Sequence, residues 1–248
     1  MPEFKLPART ASVSDLLDAA TAVFRMTLAK TLPAGLFAIL LAALPNMYWL
    51  TTGKPVDLLH PPRDAKFWAL TAIGFAAYQL LAAVLMLRQR TLLRGAAPDL
   101  QQEFASALAR WPMLMATAIL AGLAIFAGAL LLLLPGVFAL LCFLLVRPVV
   151  LFENLGAARS LSRCVLLVRP MWTKVLASAI IAALVFGICV IAAAAVLGIV
   201  QAVLIALGAQ PAPLSAFAAA CELGVQAVAL VYFNALWLVL YSAASSSA

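Results

Sequence analysis

From Val175 to Leu207 the chain runs through 33 consecutive residues without one Asp, Glu, Lys, Arg or His. About 20 such residues already form a helix that crosses the hydrocarbon core of a bilayer. A soluble domain of ordinary make-up has nowhere to bury a longer run. The remaining sequence is of the same kind, since 67% of the 248 residues are apolar and 10% charged. Soluble domains sit near about 45–50% and about 25%. Disordered, collagen-like and disulfide-stapled secreted chains are excluded by the same comparison. The expectation is an all-α integral membrane protein with room for six transmembrane helices.

Periodicity and punctuation divide the chain into a single membrane domain over residues 1–248. Spans are expected at about 31–50, 67–87, 113–134, 137–152, 175–207 and 217–241. They form three hairpins, each preceded by an amphipathic interfacial helix, at about 12–30, 99–110 and 155–169. Ser12 and Asp15 have the spacing of a capping box at the first of these. Pro33 fits the first turn of span one, and Pro45 is expected to kink or end it. Pro135-Gly136 suits a type II turn between spans three and four. Arg147-Pro148 is expected to break span four, because a proline disfavours helical angles in the residue before it. Span five exceeds one crossing, so its end, about 196–213, is either a tilted extension or a fold-back. Arg25, Arg110 and Arg163 sit near the ends of the three amphipathic elements, an architectural repeat.

Orientation follows from the basic residues. Of the 16 Lys and Arg, 13 fall on the side of the termini and of the 88–112 and 147–174 connections, and three on the other. Six of the nine acids lie on that first side, so the whole net charge of +7 belongs to it. Both termini are therefore expected in the cytoplasm. The excess base reads as a topology signal and not as a nucleic-acid surface, for no compact basic domain is present.

Few side chains are available for chemistry. Cys142, Cys164, Cys189 and Cys221 stand alone in apolar surroundings, and His60 is the single histidine. No metal-ligand spacing, nucleophile elbow or phosphate-binding loop is written here, so no cofactor, metal or catalytic residue is expected. Arg147, Glu222 and Gln226 are the candidate intramembrane polar site, since ionisable groups inside spans are rare and functional. Structural readings stand beside this. Arg147 can snorkel or pair with Glu153, and Glu222 can favour a helix N-terminus near the outer boundary. Arg25, Arg110, Arg163, Arg169 and Lys174 are the candidate headgroup contacts, with membrane lipids, anionic ones included, as partners. Ala118-x3-Gly122, Ala124-x3-Gly128 and Ala194-x3-Gly198 permit close helix approach.

The segment LLLLPGVFALLCFLLVRPVVLFENLGAARSLSRCVLLVRPMWTKV, with the opening SDLLDAATAVFRMTLAKTLP, resembles a group of bacterial membrane proteins. The group includes the membrane domain attached to some glycerophosphodiester phosphodiesterases and the YciC-type inner-membrane proteins. Pro135-Gly136, Pro148 followed by Glu153, and the pair Trp172 and Lys174 carry the likeness. It implies a six-span fold in the bacterial cytoplasmic membrane. It does not bring phosphodiesterase activity, because the residues for that reaction are absent from this sequence. The functional expectation is a non-enzymatic scaffold, accessory or lipid-interacting module. The alternative is a transporter or channel for a small or amphiphilic substrate.

Overall fold

The computed structural model describes residues 7–51, 64–131, 133–208 and 211–246. Every regular element among them is helical. The helices are α1 Val13–Ala42, α2 Leu44–Thr51, α3 Ala65–Leu93, α4 Leu100–Leu131, α5 Leu133–Phe143, α6 Val146–Glu153 and α7 Ala157–Val168. A single 3-10 turn, Arg169–Met171, leads to α8 Trp172–Ala206, and α9 Pro211–Ser245 closes the described chain. Six segments are long and apolar enough to cross a membrane: Val13–Ala42, Ala65–Leu93, Leu100–Leu130, Gly136–Glu153, Ala157–Ala206 and Ala216–Ser245.

Polar side chains set the starts of α1 and α3. Ser12 and Asp15 form the expected capping box, with the Ser12 N–H donating to Asp15 Oδ2 at 2.9 Å and the Asp15 N–H to Ser12 Oγ at 3.2 Å. Asp64 caps α3 by accepting the Lys66 N–H at 2.9 Å. It also accepts the Tyr48 hydroxyl at 2.6 Å, which ties α2 to that start.

Four expected boundaries differ. The first two amphipathic stretches are not separate helices, because 12–30 continues into span one as α1 and 99–110 into span three as α4. Pro33 and Pro112 lie inside them. An interior proline costs a helix about 3 kcal/mol or more. In α1 that cost is opposed by packing along its length, with Leu16, Ala20, Val23, Thr27, Thr31, Gly35, Ala38 and Ile39 all buried. Span four breaks at Leu144–Leu145, one turn before Arg147-Pro148. Pro148 is thereby the third residue of α6, where an N–H has no helical partner to lose. Arg147 is helical. Pro135 likewise falls in the first turn of α5, so Pro135-Gly136 is helical and not a two-residue turn.

The third amphipathic stretch is a helix of its own, α7, which buries Ser160, Cys164, Leu167 and Val168. Asn154, at φ 52°, turns the chain from α6 toward it. Span five is an extended helix through Ala206, which ends near Gly208 at φ 92°, so no fold-back occurs before that point.

The core is built where α1, α3 and α9 meet and where α6 and α7 close one end. Ala38, Ile39, Ala82, Leu85, Ala227, Leu230 and Val231 pack together between the first three. Phe24 meets Tyr232 edge-on at 5.6 Å. Close approach is governed by Gly74, where a Cβ would stand 2.7 Å from the Leu41 carbonyl oxygen, and by Gly136, 2.8 Å from Ala129 N. Gly122 and Gly198, named above for their small-residue spacing, face open space. On α8 only Val175, Ser178 and Ala182 are buried, and Ile191 is 71% exposed. So apolar a helix, with so little of its surface covered by the bundle, suits a lipid-facing position.

Candidate functional site

Arg147 projects from the start of α6 into the bundle and is half-buried. Its Nη1 donates to Asn234 Oδ1 of α9 at 2.9 Å, and its Nη2 to Gln79 Oε1 of α3 at 2.9 Å. The guanidinium carbon stands 5.8 Å from the centre of the Tyr78 ring. Glu153 is not its partner, contrary to the pairing considered from sequence. Neither ion pair found among the described residues includes Arg147. Gln79 precedes Arg88, near the C-terminal end of α3, by nine residues, or about 13 Å of helical rise. The charge is thus held inside the bundle by two neutral amides.

Two cavities flank this group. One, of about 420 Å³, is lined by Ile39, Tyr78, Arg147, Gln226, Asn234 and Trp237 among others. The other, of about 380 Å³, lies toward α4 and α5 and includes Gln79, Gly122, Arg147 and Trp237. Glu222 and Gln226 line a third, of about 490 Å³, between α8 and α9 together with Gln201. Gln226 Nε2 donates to Glu222 Oε1 at 3.3 Å, and both side chains are exposed on the bundle. Arg147 and Glu222 therefore line different cavities that share Gln226 as a wall. Because α9 begins at Pro211, Glu222 sits three turns inside the helix. That is beyond the first turn over which a helix dipole favours an acid.

The candidate headgroup residues divide by what they touch. Arg25 and Arg169 are exposed. Arg110 donates through Nη1 to the carbonyls of Val150 and Leu151, and so caps the last turn of α6 from α4. Arg163 Nε donates to Glu153 Oε2 at 2.9 Å, while the Tyr241 hydroxyl donates to Glu153 Oε1 at 3.1 Å. Lys174 Nζ donates to the carbonyls of Arg9 at 3.0 Å and Ala11 at 2.8 Å, which fastens the N-terminal segment to α8. Arg90 stacks over the Phe152 ring at 3.9 Å. Arg110, Arg163 and Lys174 are thus committed to internal partners at the end of the bundle where α6 and α7 meet.

Three site residues escaped the sequence reading: Gln79 and Asn234, which hold Arg147, and Gln89. Gln89 is fully buried and donates to the Val231 carbonyl at 3.0 Å, joining α3 to α9. The signal available was an amide side chain inside an apolar run, a group that must find a partner there. Cys142 and Cys164 are buried, Cys189 is exposed on α8 and Cys221 is half-buried, and all four are free thiols. Among the described residues no group of His, Cys, Asp or Glu is arranged to hold a metal ion. His60 lies outside the described residues. Comparison with protein-family models, with curated proteins and with solved structures finds no match to this chain.

Proposed function

We propose that this chain is a non-enzymatic, lipid-interacting scaffold or accessory module of the bacterial cytoplasmic membrane. In this reading both termini are cytoplasmic, α7 lies in the inner interface, and the chain joins the six-span group that its 131–175 segment resembles. The amphipathic openings of α1 and α4 begin the first two hairpins in the same leaflet. The non-enzymatic reading rests on the absence of a catalytic constellation in the sequence.

The observation that carries the proposal is the outer side of α7. Arg159, Leu166 and Arg169 are exposed there, Leu166 to 63%, and Trp172 follows at 46%. Bases beside an exposed Leu and Trp match a boundary with phosphates on one side and acyl chains on the other. Each base near an anionic leaflet contributes about 1 kcal/mol. Arg25 adds a further exposed base. Arg110, Arg163 and Lys174 support the surface from beneath through their internal bonds.

The double substitution Arg159→Glu and Arg169→Glu tests this without touching the Glu153–Arg163 pair. Loss of two basic contacts corresponds to about 2 kcal/mol, or roughly thirtyfold in affinity for an anionic lipid. Native mass spectrometry of protein released from phosphatidylglycerol-containing nanodiscs is expected to show that lipid depleted relative to wild type. Equal retention contradicts the proposal.

A second reading, a transporter or channel for a small or amphiphilic substrate, is favoured by one observation. The cavities at Arg147 and at Glu222 have Gln226 in common.

A further inference from the structure

An arginine carries five N–H donors. Two of those on Arg147 go to Asn234 and Gln79, and both acceptors are neutral. A guanidinium within a span is costly to insert, and its charge is ordinarily answered by an acid or by backbone carbonyls. Here the charge has neither. Beside it, Asn234 is 1% exposed, and its Nδ2 is buried without a hydrogen-bond partner. An orphaned buried amide donor is a cost of about 1–3 kcal/mol that native structures rarely leave standing.

Both residues line the cavity of about 420 Å³. Its lining carries one full positive charge with no acid opposite it. Tyr78 and Gln226 add polar groups to the lining, and Ile39, Leu230, Phe233 and Trp237 make the rest of it apolar. Glu222, the acid on the neighbouring turns of α9, lines the other cavity and not this one.

We infer that this cavity is a binding site for an oxyanion, a phosphate or carboxylate, received by the free N–H groups of Arg147, with the buried Asn234 fixing the guanidinium at its wall. A charge-assisted pair with an oxyanion completes the donors that the protein leaves open. The apolar walls take a hydrocarbon body attached to that anion. The inference deepens the second reading above by naming a ligand class, and it requires binding only, with no transport.

The test uses the full chain in an uncharged maltoside detergent, titrated calorimetrically with dodecyl phosphate and, separately, with inorganic phosphate. Asn234→Asp is the decisive variant. It keeps the side-chain size while placing a carboxylate against Arg147, so it answers the charge from within. Arg147→Gln removes the charge, and circular dichroism reports whether each variant is folded. Saturable binding by wild type, weakened at least tenfold in Asn234→Asp, is the expected result. Binding of dodecyl phosphate alone identifies an amphiphile headgroup as the ligand, and comparable binding of inorganic phosphate identifies a soluble anion. Absence of saturable binding for both probes overturns the inference, as does wild-type affinity in folded Asn234→Asp. Flux of dodecyl phosphate in proteoliposomes decides the transport reading separately. Binding without flux ends that reading and leaves the site in place.

Discussion

Gly74→Leu is expected to destabilise the protein by about 3 kcal/mol or more, the upper part of the range for overpacking. Even the first carbon of a side chain at this position would stand 2.7 Å from the Leu41 carbonyl oxygen. That oxygen is backbone, at the last turn of α1, and it cannot swing aside as a side-chain tip would. The next nearest atom, Ala42 Cα at 3.6 Å, is also backbone, so relief requires α1 and α3 to separate. Separation in turn opens the packing of Ile39 and Ala38 against Ala82 and Leu85. Gly122→Leu provides the control. No atom lies within 4 Å of a Cβ there, so no clash opposes the helix-propensity gain of up to about 1 kcal/mol and no destabilisation is expected. Thermal unfolding in detergent, followed by circular dichroism, measures both. Equal shifts for the two variants would contradict the close α1–α3 approach.

Glu153→Ala carries the second large effect, an expected loss of about 2 kcal/mol, with Glu153→Gln losing about half as much. The carboxylate accepts from Arg163 on α7 and from Tyr241 on α9, and so joins three helices at the point where Asn154 reverses the chain. Arg163 is 32% exposed and Glu153 18%, so solvent screens the pair, and only part of the loss is electrostatic. Removal of the side chain also leaves Arg163 and the Tyr241 hydroxyl without their shared acceptor. A double-mutant cycle with Arg163→Gln is expected to give a coupling of about 1 kcal/mol by the same unfolding measurement. Additive losses would mean that the two side chains act independently.

The six long apolar segments were legible because span length and hydropathy depend on local composition alone. The capping box at Ser12 and Asp15 was legible for the same reason, as it is written within four residues. The continuity of α1 through Pro33 was not, because it depends on packing against α3 and α9 that no local rule contains. Pro148 marked an interruption of span four, but its place within a first turn could not be read from the dipeptide. For the site, Arg147, Glu222 and Gln226 stood out by charge and polarity. Their partners did not, since Gln79 and Asn234 are 68 and 87 residues away from Arg147. The division of the basic residues into exposed and internally bonded groups was equally hidden. Arg163 and Arg169 look alike in sequence, yet one binds Glu153 and the other meets the surroundings.

Which end of the bundle faces the cytoplasm decides whether Arg159, Arg169 and Arg25 meet an anionic leaflet. Dual topology reporters fused after Gly53 and after Gly95 measure it directly. The predicted result is an extracytoplasmic signal at Gly53 and a cytoplasmic signal at Gly95. A cytoplasmic signal at both positions would contradict it.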